Sequence, residues 1–165
     1  MIEKLTLEHL TEYKNIRLEL LKVSPENFGS SYSEEVLFSE EMWVNRLTKK
    51  NIHGFGKFIE GELIGVVLAV TNPRKKISHV ATLNSMYVKE EFRGLGYADE
   101  LVKHAINYLD NLSIEQVLLS VVSVNKAAIN LYVRNGFIDY GTEEKAIKLN
   151  DRYYDLVLMK KVLKK

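Results

Sequence analysis

Arg93-Gly94-Leu95-Gly96-Tyr97-Ala98 sets two glycines between an apolar run ending Met86-Tyr87-Val88 and an amphipathic stretch that continues to about Leu112. A strand that turns through glycines into a helix start binds anions: glycine lets the backbone curl inward, and the first helical N–H groups are unpaired at the positive end of the helix. Arg93 adds a full charge. The spacing is not a dinucleotide fingerprint, because the third small residue counted from Gly94 would fall on Asp99, and no Gly-x-x-x-x-Gly-Lys-Ser/Thr loop is present. A carboxylate at Asp99 opposes a phosphate unless it points outward. A second cluster follows, Asn125-Lys126-Ala127-Ala128-Ile129-Asn130-Leu131-Tyr132 and then Asn135-Gly136-Phe137. Asn125 is a favoured N-cap, and Tyr132 lies two helical turns further on nearly the same face. The chain contains no cysteine, which excludes disulfides, thiolate metal sites and a cysteine nucleophile.

These residues need strands and helices in a definite order. Residues 2–6 read as a short strand, and Leu10, Tyr13, Ile16, Leu18 and Leu21 recur at helical spacing until Ser24-Pro25 stops the helix. A second helix is expected from Ser33 to Leu47, with Val36, Trp43, Val44 and Leu47 inward. Glu60-Gly61-Glu62 joins two strands as a hairpin, and a third strand runs from Ile77 to Val88. The helix after Gly96 buries Leu101, Val102, Ala105, Ile106 and Leu109. Val117 to Val122 reads as a strand covered on both faces, and a short helix from Lys126 ends at the Asn135-Gly136 cap. Two final strands, about 137–148 and 153–161, flank Leu149-Asn150-Asp151-Arg152. The resulting order, β, α, α, β, β, β, α, β, α, β, β, is an α/β arrangement with a mixed sheet.

The Arg-x-x-Gly-x-Gly-like loop, the Asn…Leu-Tyr…Gly-Phe segment and this element order together resemble the GNAT superfamily of N-acetyltransferases over most of the chain. The resemblance implies a single domain, residues 1–165, with a twisted mixed sheet of about seven strands flanked by about four helices. It implies acetyl-CoA as donor and no metal. Arg93, Gly94, Leu95, Gly96, Tyr97 and Ala98 would cradle the pyrophosphate. Met86, Tyr87 and Val88 would lie on a splayed strand whose free backbone groups pair with pantetheine, with an N–H there stabilising an oxyanion. Asn125 would bond the pantetheine or phosphate arm, and Tyr132 would protonate the departing thiolate. The chemistry agrees, since a phenol of pKa about 10 can protonate or hydrogen-bond the anion of a thiol of pKa about 8.5. With no cysteine to carry an acetyl group, the implied route is direct attack by a primary amine in a ternary complex. The alternative is a non-catalytic acyl-CoA-binding module. It gains from Thr82, Asn84 and Ser120, which stand where many family members carry a Glu or Asp base.

For the acceptor side, Tyr32, Glu34 and Asn84 are expected at the pocket, with water-mediated deprotonation and Glu35 as the side-chain base. His79 reads as a structural histidine. Glu34, Glu35, Glu40 and Glu41 together would suit a small cationic amine, while the resemblance leaves a polyamine, an amino acid, an aminoglycoside-type drug and a protein N-terminus or lysine open as acceptors. A formal net charge of +1 with 27% charged residues gives no global field for nucleic acid or an anionic membrane. Arg74-Lys75-Lys76 and the terminal Lys160, Lys161, Lys164 and Lys165 read as a solvated turn and terminus. No apolar run approaches the roughly 18 residues of a membrane span. A cytoplasmic protein is expected; the sequence does not give the oligomeric state, and a homodimer is compatible with the resemblance because many family members dimerise.

Overall fold

The computed structural model describes residues 1–163, so the Lys164-Lys165 end of the basic tail lies outside the described residues. One sheet of seven strands carries the architecture: β1 (Ile2–Lys4), β2 (Ile52–Ile59), β3 (Glu62–Thr71), β4 (Val80–Val88), β5 (Gln116–Val122), β6 (Ile138–Leu149) and β7 (Arg152–Val162). Their order in the sheet is β1-β2-β3-β4-β5-β7-β6, antiparallel throughout except for the parallel β4–β5 pair. The β2–β3 hairpin turns on Glu60 and Gly61, both left-handed at φ 49° and 82°. That is the conformation a two-residue hairpin requires, and glycine supplies half of it without strain.

Five helices flank the sheet among the described residues. Helices α1 (Leu10–Val23), α2 (Tyr32–Glu35) and α3 (Glu40–Thr48) cover one face around Tyr13, Ile16, Leu20, Trp43, Val66 and Tyr87. Helices α4 (Tyr97–Asn111) and α5 (Lys126–Arg134) cover the other, where Leu101, Val102, Ala105 and Leu109 meet Ile64, Val67 and Val117. The single helix expected over 33–47 is instead two. Ser31 Oγ accepts the Glu34 N–H at 3.3 Å to start α2, and Ser39 Oγ accepts the Met42 N–H at 3.3 Å to start α3. Each serine gives the backbone a local partner that ends one helical run and begins the next. Val36, expected inward, is exposed at that break.

The site depends on where α4 begins, and two contacts fix this. A Cβ on Gly65 of β3 would stand 3.0 Å from Leu101 Cδ1 and 3.2 Å from the Tyr87 carbonyl oxygen, so glycine lets α4 lie against the sheet. Lys57 of β2, almost buried, pairs with Glu100 in the first turn and sits 4.8 Å over the Tyr97 ring.

Candidate active site

β4 and β5 pair only at Val80↔Gln116, Ala81↔Val117 and Thr82↔Leu118. Beyond Thr82 the strands part. A cleft of about 650 Å³ opens between them, bordered by Leu83–Val88 on one side and Ser120–Val122 on the other. The separation alters the expectation for β5: Val117, Leu119 and Val121 are buried, but Ser120 is exposed to the cleft rather than covered.

The inner edge of β4 is shaped by a bulge. Its register with β3 moves from Val66↔Tyr87 to Leu68↔Asn84, so Ser85 and Met86 together face Val67, with Ser85 at φ 56°. The Lys89 N–H bonds the Ile64 carbonyl across β3. Strand alternation therefore turns the backbone groups of Val88, and of Met86 two residues earlier, toward the gap. There the Val88 carbonyl accepts Arg93 Nε at 2.9 Å, which ties the Arg93 side chain to the strand beside the gap. Tyr87 borders the cleft, but its phenol runs into the opposite core and donates to Glu19 Oε1 at 3.0 Å. Burial and then the Glu19 carboxylate push the Tyr87 hydroxyl up to about 12.

At the mouth, Gly94 and Gly96 are left-handed at φ 77° and 85°, and a Cβ at either would meet nothing within 4 Å. Gly96 is the N-cap of α4 and provides no side-chain cap, so the first-turn N–H groups of Tyr97, Ala98 and Asp99 are open to an anion. Arg93, Gly94, Gly96, Tyr97 and Ala98 line the cleft, while the Leu95 side chain is 61% exposed at the tip and does not. Asp99 does not obstruct the loop. Its carboxylate is held by Arg134 Nη2 at 2.8 Å and by Asn135 Nδ2 at 2.9 Å. These hydrogen bonds, led by that from Arg134, keep its pKa below the usual carboxylate value.

α5 forms the remaining wall. Asn125 Oδ1 accepts the Ala128 N–H at 3.1 Å as N-cap and also lines the cleft, so the capping and ligand-facing readings coexist. Tyr132 follows two turns later, lining the cleft with 7% of its surface exposed and its ring edge-on to Phe137. Burial alone raises its hydroxyl well above an ordinary phenol. An open-glycine cradle, a half-unpaired strand edge and a protonated phenol thus face one cavity. The cradle and the cationic loop fit the phosphates of coenzyme A, and the narrow strand gap fits its uncharged arm.

The model of the Acetyltransferase (GNAT) family matches residues 16–137, from within α1 to the residue before β6. The chain belongs to the GNAT acetyltransferase family. The L-amino acid N-acetyltransferase AaaT of Escherichia coli (strain K12) is 30% identical over 126 residues, covering 75% of this chain and 77% of that protein. A GNAT-family acetyltransferase from Streptococcus pneumoniae superposes with a TM-score of 0.83 at 22% identity, covering 99% of both chains. The ribosomal-protein-alanine N-acetyltransferase of Brucella melitensis superposes with a TM-score of 0.84 at 21% identity, also over 99% of both. At those identities the two structures establish the shared fold.

On the acceptor side of this GNAT cleft the sequence expectations need correction. Glu35 is fully buried and does not line the cleft. Arg17 Nε and Nη2 grip its two oxygens at 3.0 and 2.8 Å, and Arg46 Nη1 adds a contact at 2.7 Å. Burial would raise its pKa, but hydrogen bonds from Arg17 and Ser30 and the two guanidinium charges outweigh this and lower it. A carboxylate so occupied and so weakly basic is not a general base. Tyr32 turns to Lys22, whose ammonium lies 4.3 Å over its ring, and Glu34 is exposed and accepts from Ser31 Oγ at 2.8 Å; neither lines the cleft. Asn84 does line it. His79 is exposed outside it, its carbonyl accepting the Glu115 N–H.

The residues that do form this wall are Arg17, Ser24, Asn27, Phe28 and Gly29. The turn after α1 carries the last four across the open end of the splayed sheet. Arg17 was detectable in the sequence as a charge at an inward position of α1, between Ile16 and Leu20. The turn residues carried no such signal.

Proposed function

We propose that this GNAT acetyltransferase transfers the acetyl group of acetyl-CoA to a primary amine by direct attack in a ternary complex. The observation that carries this reading is the convergence of the Gly94–Gly96 cradle, the gap-facing backbone of Met86 and Val88, and the Tyr132 hydroxyl on one cleft. Acetyl-CoA supplies the activated acyl group. The first-turn N–H groups of α4 bind its pyrophosphate, with Arg93 tethered alongside and Asn125 toward the arm. The N–H groups of Met86 and Val88 align the thioester and receive charge developing on its oxygen. The incoming ammonium gives its proton to water, since the cleft holds no free carboxylate among the described residues. As the new C–N bond forms and the C–S bond breaks, the nitrogen passes its second proton to water, while Tyr132 donates its proton to the sulfur and regains one from solvent. The products are the N-acetyl amine, coenzyme A as thiol and one proton released.

Burial keeps the Tyr132 hydroxyl protonated, so it is available as a donor and not as a base. The AaaT relative, named for acetylating L-amino acids, supports a small amine acceptor. The test is calorimetric binding of coenzyme A, followed by thiol release from acetyl-CoA across an amine panel. Binding with saturable thiol release for at least one amine is expected. Binding without turnover for any amine would replace the enzyme with a coenzyme A-binding module, and absence of binding would defeat both.

A further inference from the structure

Buried Arg17 and Glu35 form a cluster with half-buried Arg46, two cations to one carboxylate, which leaves one positive charge in excess. The Arg17 side chain is 7% exposed, against 25% for Arg46, so Arg17 is the less solvated of the two cations. Arg17 is also the member that lines the cleft. Its Nη1 donates to Ser85 Oγ at 3.0 Å, which places the guanidinium beside the bulge that precedes Met86. Nε and both Nη nitrogens each have one partner, yet a guanidinium carries five N–H donors, so two remain. Burying a charge without compensation is costly, and a planar cationic fork matches a carboxylate.

The donor does not supply the missing anion, because the thioester end of acetyl-CoA is uncharged and its phosphates belong at the glycine loop. The chain does not supply it either. Asp99 is the one carboxylate lining the cleft among the described residues, and it is held by Arg134 and Asn135 at the loop end. Around Arg17 the wall is neutral: Ser24, Asn27, Asn84 and Ser85 are polar, and Phe28 stacks with its ring 5.8 Å from the guanidinium carbon.

We propose that Arg17 binds a carboxylate of the acceptor, so that the acceptor is an amine with an adjacent carboxylate, an α-amino acid, rather than a polyamine or a lysine side chain. This deepens the acetyl-transfer reading and rests on it. A carboxylate on Arg17 puts the amine of an α-amino acid two bonds from the carboxylate carbon, beside the Met86 backbone where the thioester is aligned. A polycation would instead bring like charge against Arg17 and find no free carboxylate in the cleft. Glu35 acts here as a positioning residue: its two-point grip fixes the plane of the Arg17 fork. Arg46 balances Glu35 from the far side.

The test needs no variant to begin. Thiol release from acetyl-CoA is measured on the unaltered protein with the twenty L-amino acids, their carboxamides and spermidine. The best amino acid should exceed its own carboxamide in kcat/KM by at least about tenfold, the effect of losing one charge-assisted hydrogen-bonded contact. Spermidine should be poorer still. R17K, which keeps the charge but loses the fork, should shrink that ratio with unchanged coenzyme A affinity. Carboxamides or spermidine acetylated as well as the acids would overturn the assignment and leave the transfer reading standing. If coenzyme A binds but no amine turns over, calorimetry of amino acids on the coenzyme A complex decides: binding of acids over carboxamides upholds the Arg17 site, and equal or absent binding removes it.

Discussion

Asp99 and Arg134 meet across the start of α4 and the end of α5, with Nη2–Oδ2 at 2.8 Å and Nε–Oδ1 at 3.3 Å. The pair engages the one carboxylate that lines the cleft among the described residues. R134M should therefore leave the Asp99 carboxylate without its cationic partner, held by Asn135 alone, and raise the coenzyme A dissociation constant by about two- to fivefold, the range of a charge at a helix terminus. Adding D99N should restore the affinity. Calorimetry at low and high salt checks this, because an electrostatic effect shrinks with screening. A double variant as weak as R134M would show that Arg134 itself contacts the ligand.

Y132F removes a hydroxyl and little volume. Because burial holds the Tyr132 hydroxyl protonated, it is a donor throughout the neutral and mildly alkaline range. Turnover should fall by about a hundredfold or more if it protonates the leaving thiolate, with coenzyme A affinity changed little. Unchanged turnover removes Tyr132 from the chemistry. In the unaltered enzyme, no alkaline loss of activity should be traceable to this group below about pH 10, the ordinary value from which it is raised.

The parts of this site that sequence made visible are those where backbone geometry restricts residue type. Gly94 and Gly96 stand out because left-handed φ excludes most side chains, and Asn125 because a helix start needs an acceptor. The splay after Thr82 leaves no such mark, since an apolar strand reads alike whether or not its neighbour is paired. Arg17 and Glu35 are 18 residues apart and become partners only when α1 and α2 pack. In the sequence Glu35 therefore stands among several acids on one helical stretch, with nothing to show that its carboxylate is occupied rather than free to act as a base. What betrayed Arg17 was its place on the buried stripe Tyr13, Ile16, Leu20, Leu21. The α2–α3 break was similarly legible in retrospect, as Ser39 before two acidic residues is a helix-start pattern.

G96A separates the cradle from the fold. At φ 85° an alanine is strained by about 1–2 kcal/mol, while its Cβ would meet no neighbour within 4 Å, so the protein should remain folded. The same methyl narrows the open side of the cradle, and relief of strain rotates the N–H groups away from it. Coenzyme A affinity should fall by about tenfold or more, measured by calorimetry beside a urea titration. Affinity that tracks only the small stability change would place the phosphates elsewhere.

E35Q tests the Arg17–Glu35–Arg46 cluster from its anionic centre. The amide cannot compensate two guanidinium groups, so unfolding free energy should drop by about 3 kcal/mol, as when one partner is removed from a buried ion pair. The pH dependence carries a definite sign. The folded-state pKa of Glu35 is lowered from 4.5, so its stabilisation is complete above that value and is lost as pH falls through the lower folded value. Urea titrations from pH 7 to pH 3 should show a steep acid loss in the unaltered protein and a shallower one in E35Q. With the fork no longer fixed, the acceptor KM should rise while the coenzyme A dissociation constant stays constant. A pure loss of kcat with KM and stability intact would instead return Glu35 to the role of base, against the geometry that holds both its oxygens.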